Sequence, residues 1–233
     1  MSVSDNYLQI KKRVEAACAR VHRDPAEVTI IAVSKTKPDE MVEELAGIGV
    51  RDFGENKPQE LMRKHDGIEG ELRWHMIGNI QTNKVKMFVG RAALIHSVSS
   101  MHIAEAVSKE SVKQGVISDI LIEVNIAGEE TKHGASLDET LELVRGAAAL
   151  PNISVRGLMA IVPPTDNPED SRPYFKQLAK MRDTICAMNI PNAQVTELSM
   201  GMTGDFETAV EEGATYVRVG TAIFGERDYS HQT

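Results

Sequence analysis

Eight short runs rich in apolar and β-branched residues constrain this chain more than any other feature. They read "VTIIAVSK", "VRDFGE", "LRWHMIG", "ALIHSVS", "DILIEVNI", "ISVRGLMAI", "QVTELSMG" and "YVRVGTAIFG", and each but the last is followed by a stretch of helical periodicity. An apolar pattern that keeps switching between periods of 2 and 3.6 predicts alternating strands and helices. One helix precedes the series, with Tyr7, Ile10, Val14, Ala17 and Val21 on a single stripe that starts near Ser4 and stops at Asp24-Pro25. Between the first two runs, Pro38 stands at a helix start, Asp39 and Glu40 lie in the first turn where the dipole favours anions, and Gly47 or Gly49 ends it. Eight βα units in 233 residues predict one (β/α)8 barrel of the TIM type over residues 1–233, with an extra N-terminal helix. A doubly wound open sheet would use fewer strands and a glycine-rich first turn, whereas the first turn here is "SKTKP".

A closed barrel sorts strand residues by parity, one set facing the axis and the other the helices. Thr29, Ile31, Val33 and Lys35 share one parity. Phe53 with Glu55, Arg73 with His75, Glu123 with Asn125, and Tyr216 with Arg218 are read as inward, since alternates such as Ile122, Val124, Val217 and Val219 are purely apolar. Polar groups then converge inside, mostly toward the C-terminal ends of the strands, where barrel proteins build their sites. A strand-end lysine ordinarily keeps its ammonium in water. In a partly dry barrel mouth, desolvation favours the neutral amine instead, and Lys35 becomes a candidate nucleophile toward an aldehyde. Spacing weakly prefers Lys35 over Lys37.

A second signal lies near the end of the chain. "LSMGMTGDFETAVEEG" places Ser199, Met200, Gly201, Met202 and Thr203 between the seventh strand and a helix beginning near Asp205, and Gly220 and Thr221 follow the eighth strand. Small residues let backbone N–H groups approach a ligand, hydroxyls add donors, and a helix N-terminus favours an anion. The two loops together read as a phosphate cradle, in the place where barrels often bind phosphate. An aldehyde-reactive lysine facing a phosphate cradle suggests pyridoxal 5′-phosphate.

Composition narrows the partners. A net charge of -8 and a pI near 5.4 argue against a phosphate-backbone binder, so no nucleic-acid partner is expected. The N-terminus lacks a signal-peptide core, and no segment approaches the ~20 apolar residues that span a bilayer. Only Cys18 and Cys186 occur, far apart, which suits reduced thiols and a cytoplasmic location. The seven histidines offer no HExxH or i, i+4 pair, so no metal site is expected. His96 and His102 read as surface or cap residues, and Glu123 as a satisfied core carboxylate.

In order along the chain, "IAVSKTKP", "FGEN", "WHMIGNIQTNK", "GLMAI", "LSMGMTGDFETAV" and "VRVGTAIFG" closely resemble the pyridoxal-phosphate homeostasis protein family, whose fold is similar to the N-terminal barrel of alanine racemase. The resemblance spans roughly residues 31–229. It implies that Lys35 holds the cofactor as an internal aldimine, that Asn56 and His75 lie beside its ring, and that Met159 packs near it. It further implies that Ser199, Met200, Gly201, Thr203, Gly220 and Thr221 hold the phosphate and that Arg218 faces the pyridine nitrogen. Three loops depart from the family pattern: Lys57-Pro58 after "FGEN", "GNIQTNK", and Glu129 to Gly134 with His133.

Three functions remain open on these residues. The first, implied by the resemblance, is a carrier that holds pyridoxal 5′-phosphate and helps maintain its intracellular level without turnover, acting as a monomer with apo pyridoxal enzymes as protein partners. The second is an amino-acid racemase, but the racemase fold draws its second acid/base from a further β domain, and this chain is expected to lack one. The third is a Schiff-base aldolase on a phosphosugar, which needs the same lysine and phosphate logic without a cofactor.

Overall fold

The computed structural model describes residues 2–128 and 134–226. The departing stretch at residues 129–133, with His133, and the tail from residue 227 lie outside the described residues.

Helix α1 (Val3–Arg20) begins at a capping box, in which the Ser2 side chain accepts from the Asp5 amide and the Asp5 carboxylate accepts from the Ser2 amide. Its buried stripe is Val3, Ile10, Val14, Ala17 and Cys18. Then strand and helix alternate. Strand β1 (Thr29–Val33) leads to α2 (Asp39–Gly47), β2 (Asp52–Glu55) to α3 (Pro58–Gly67), and β3 (Arg73–Met76) to a 3-10 stretch at Thr82–Met87. Strand β4 (Ala92–Val98) leads to α4 (Met101–Gln114), β5 (Ser118–Glu123) to α5 (Leu137–Ala148), and β6 (Ile153–Met159) to α6 (Arg172–Cys186). Strand β7 (Ala193–Ser199) leads to α7 (Phe206–Glu211), and β8 (Tyr216–Val219) to a single turn, α8 (Thr221–Phe224).

All neighbouring strands pair in parallel, and β8 returns to β1 through Thr29 opposite Tyr216 and Ala32 opposite Val219. The sheet is a closed eight-stranded barrel, as the period switching predicts. Two local expectations differ. The third strand is followed by a 3-10 turn in place of an α-helix, and the eighth by a helical turn at Thr221.

The main core lies between the sheet and the helices, where Phe53, Trp74, Val217 and Val219 pack with Leu45, Leu61, Val107 and Phe175. Helix α1 joins it by packing against α2, α7 and α8, with Arg13–Glu207 at 2.7 Å and Arg20–Glu211 at 2.5 Å on the outer edge. Inside the barrel, Ile31, Val33 and Ile77 form one small apolar cluster and Leu94, Leu121 and Met159 another, both against Tyr216.

The inward reading holds for β1, β3 and β8 and fails for β2. Asp52, not Phe53, turns to the axis, where its Oδ1 lies 3.0 Å from His75 Nε2. Phe53 stacks against Trp74 in the outer core, at 5.6 Å between ring centroids. Glu55 meets Lys64 of α3 at 2.8 Å. His96, read as a surface or cap residue, is fully buried inside the barrel.

Candidate functional site

At the C-terminal mouth, a cleft of about 340 Å³ opens between the loops that follow β1, β2, β3, β6, β7 and β8. Lys35 and Val33 enter it from β1, Asn56 and Ile77 from the ends of β2 and β3, Ile161 from β6. Met202, Thr203 and Gly204 come from the β7 loop, and Arg218, Gly220 and Thr221 from β8. The two lysines of "SKTK" separate here. Lys35 lines the cleft, while Lys37 Nζ is turned outward onto the carbonyls of Gly225 and Glu226 at 3.2 and 2.7 Å.

The backbone that carries Lys35 is clamped from behind. Lys64 is fully buried, and its Nζ donates to the Ser34 carbonyl at 2.7 Å and to Glu55 Oε1 at 2.8 Å, with Glu60 Oε1 at 3.0 Å. Glu60 in turn accepts from the Thr36 amide at 2.8 Å, and the Ser34 hydroxyl donates to Glu55 at 2.6 Å. Thr36 itself is held at φ 64°, a left-handed conformation that a β-branched residue adopts only where its surroundings impose it. Burial pushes the Glu55 carboxyl above its ordinary value, against the pull of Lys64. Both residues flanking Lys35 are therefore fixed by one buried ion cluster. Lys64 and Glu55 were not legible as site residues, because their partners are brought together only by the packing of α3 on β1 and β2.

Asn56 is set by a close backbone approach. A Cβ at residue 78 would stand 2.2 Å from the Asn56 carbonyl oxygen, so Gly78 alone allows the β2 and β3 loops to meet. The β7 loop turns at Gly201, where φ is 88° and a Cβ would lie 2.5 Å from Ala209 Cβ. Asp205 then ties the loop down, accepting from the Met202 amide at 2.7 Å and the Ser171 hydroxyl at 3.0 Å.

The residues present suit an anionic ligand. Among the described residues, the amides of Thr203, Gly204 and Thr221 donate to no group of the protein although all three residues line the cleft. Arg218 is 5% exposed and donates to Ser199 Oγ at 2.6 Å and the Ala160 carbonyl at 2.9 Å. Burial draws its pKa down to about 10, opposed by Asp205 and Glu123, so it stays cationic near neutrality. Orphan amides beside the Arg218 cation make a concave anion site.

Not every expected residue reaches this cleft. Lys35, Asn56, Thr203, Arg218, Gly220 and Thr221 line it together. His75, expected beside a ring, lies mid-barrel between Asp52 and His96. Ser199, expected on a phosphate, is fully buried with its Oγ between His96 Nδ1 at 2.8 Å and Arg218. Met159 packs within the barrel on Leu94 and Leu121, Met200 sits in the outer core, and Gly201 is buried in the turn. Among the described residues, no group of His, Cys, Asp and Glu side chains suits a metal ion.

Residues 6–228 match the family described as alanine racemase, N-terminal domain. The chain is 42% identical to the pyridoxal phosphate homeostasis protein of Aquifex aeolicus, over 98% of this chain and all of that one. The chain belongs to the pyridoxal phosphate homeostasis protein family. The human member is 41% identical over 95% of this chain and 85% of its own length. The family member PipY of Synechococcus elongatus, solved with pyridoxal phosphate bound, superposes with a TM-score of 0.79 at 31% identity, covering 91% of this chain and all of PipY. Alanine racemase of Clostridium difficile shares the fold, with a TM-score of 0.71 at 13% identity over 93% of this chain and 59% of the enzyme. The family's barrel is thus the one expected from the order of its motifs.

Proposed function

We propose that the protein binds pyridoxal 5′-phosphate in the C-terminal cleft and holds it as part of the cell's maintenance of that cofactor, without turning over amino acids. The observation that carries this reading is the meeting of Lys35, Arg218 and the orphan amides of Thr203, Gly204 and Thr221 in one cleft. When bound, the cofactor supplies an aldehyde open to attack by a primary amine and a ring that can stabilise charge. Lys35 would be the amine that holds it, on a backbone clamped by Lys64. The amides after β7 and β8 are the donors for the phosphate, joined by the Thr203 and Thr221 hydroxyls. Asn56 would flank the ring and Arg218 would face the pyridine nitrogen. A guanidinium cannot give up its proton there, so it leaves that nitrogen as an acceptor and the ring a poor electron sink.

The lining of the cleft supports binding without turnover. Racemisation needs a base on one face of the substrate and an acid on the other, each within hydrogen-bond reach. Among the described residues that line the cleft, Lys35 is the only side chain suited to carry a proton back and forth. We place the protein in the cytoplasm, as one unit and a monomer. Both thiols, Cys18 and Cys186, are free, and among the described residues no helix is long and apolar enough to cross a membrane.

Incubation with pyridoxal 5′-phosphate should give a yellow protein that bleaches with borohydride and carries the added mass on the Lys35 peptide. Lys35→Ala should abolish the label and Lys37→Ala should keep it; a full label on Lys35→Ala would sink the assignment. The loaded protein should exchange no α-proton of L-alanine with deuterated water at an enzyme-like rate.

A further inference from the structure

The barrel interior holds a polar chain that the cleft alone does not explain. It runs from the N-terminal mouth to Arg218. Asp52 Oδ1 lies 3.0 Å from His75 Nε2, His75 Nδ1 lies 3.0 Å from His96 Nε2, His96 Nδ1 lies 2.8 Å from Ser199 Oγ, and Ser199 Oγ lies 2.6 Å from Arg218 Nη1. Every member is buried, from 8% exposed at Asp52 to 0% at His96 and Ser199. The same interior also contains Ile31, Leu94, Leu121 and Met159, so apolar side chains in place of the chain would avoid its desolvation cost.

We propose that Asp52, His75, His96 and Ser199 form a one-way hydrogen-bond relay that positions the Arg218 guanidinium at the cofactor cleft from the opposite end of the barrel. The assignment rests on reading that cleft as the pyridoxal phosphate site. Its direction follows from the two ends with neutral imidazoles between them. A guanidinium can only donate and an ionised carboxylate can only accept. With Asp52 accepting, a neutral His75 donates through Nε2–H, and its bare Nδ1 then accepts from His96 Nε2–H. His96 Nδ1 is then bare and takes the Ser199 hydroxyl proton, which leaves the Ser199 lone pairs facing Arg218. Burial holds His96 well below the ordinary imidazole value and so neutral, as this order requires. Each bond polarises the next toward Asp52, and Ser199 becomes a stronger acceptor for Arg218 than an isolated hydroxyl.

The chain fixes geometry as well as polarity. Ser199 and the Ala160 carbonyl hold the two terminal nitrogens of Arg218, which sets the guanidinium plane and leaves its remaining donors for the cleft. Ser199 is thus a positioning residue. Asp52 and His75 also line a cavity at the N-terminal mouth, so a change made there is expressed at Arg218 across the barrel.

The test uses the whole protein in two arms. In the cofactor-free protein, long-range 15N–1H NMR should show His75 and His96 both neutral and protonated on Nε2, with His75→Gln and His96→Gln supplying the assignments; a neutral Nδ1–H form of either would overturn the relay. In the second arm, Ser199→Ala should shift the absorption of the bound cofactor and weaken its binding by roughly tenfold, the range for one lost hydrogen bond to a charged group, while Ser199→Thr restores both. Asp52→Asn should move the Arg218 Nε resonance and the cofactor absorption in the same sense and by less. An unchanged Arg218 signal and spectrum in Asp52→Asn would overturn the proposal. A wild-type protein with no cofactor absorption would overturn the reading of the cleft, and the positioning role with it, whatever the tautomers show.

Discussion

The two mouths of the barrel hold cavities of similar size, about 340 Å³ at the C-terminal end and 260 Å³ at the N-terminal end, yet their polar groups are arranged differently. At the N-terminal mouth each cation is matched: Arg73 pairs with Asp52 at 2.5 Å and Arg156 with Glu197 at 3.5 Å, beside Asp119. At the C-terminal mouth the amides of Thr203, Gly204 and Thr221 have no acceptor among the described residues, and Asp205 and Glu123 act on Arg218 from outside the lining. Size therefore does not distinguish a ligand site from a closed end. Unspent backbone donors do, because holding amides together in a concave site without acceptors is costly unless an anion arrives to complete them.

Lys64 gives the largest effect that sharpens this contrast. It is a cation at the C-terminal end that is fully neutralised, by Glu55, Glu60 and the Ser34 carbonyl. Removing one member of a buried pair strands the other, so Lys64→Ala should lower stability by about 3–5 kcal/mol, measured as a fall in the urea midpoint. Glu55→Gln combined with Lys64→Met should recover part of that loss. A single variant as stable as the wild type would mean that the cluster does not clamp the Lys35 loop.

The next largest concerns the ligand itself. Orphan amides and charge-assisted hydrogen bonds should make pyridoxal bind on the order of 100-fold more weakly than its phosphate ester, about 2.8 kcal/mol. Arg73→Ala, at the opposite mouth, should leave that ratio unchanged. Equal affinities for the two compounds would erase the distinction between the mouths. Gly201→Ala should follow in size, since it combines a φ of 88° with a 2.5 Å approach to Ala209; a loss of about 1–3 kcal/mol is expected, with phosphate discrimination falling too.

The barrel was legible because its strands are apolar runs whose number and spacing fit few other architectures. Lys35 was legible because it ends such a run at an inward position. Strand β2 was not, and the reason is specific: in Asp52–Glu55 both parities carry a carboxylate, so alternation gives no face. What decides it is partners on later elements, His75 of β3 for Asp52 and Lys64 of α3 for Glu55. His96 escaped for a related reason. Alone it resembles a surface histidine, although Leu94 two residues earlier shares its inward parity, and that alternation against Ile95 was the available signal. The relay could not be read at all, because its members come from four strands and its sense depends on the geometry between them.

The smallest effect expected is the pH dependence of the N-terminal mouth. Burial pushes the Asp52 carboxyl up, but hydrogen bonds from His75 and Arg73 outweigh it and hold the group below its ordinary value. A carboxylate depressed in the folded state contributes stability that is complete above the unfolded pKa of ~3.9 and disappears as pH falls through the folded value. The wild type should therefore lose this increment on acidification from about pH 5 downward, and Asp52→Asn should show a shallower acid limb while being less stable at neutral pH. The increment is modest because Arg73 is 61% exposed and water screens its half of the pairing. Urea midpoints measured across the acid range for both proteins decide it. Parallel acid limbs would show that Asp52 is not held as a carboxylate, which would remove the fixed accepting end of the N-terminal mouth and the contrast drawn between the two ends of the barrel.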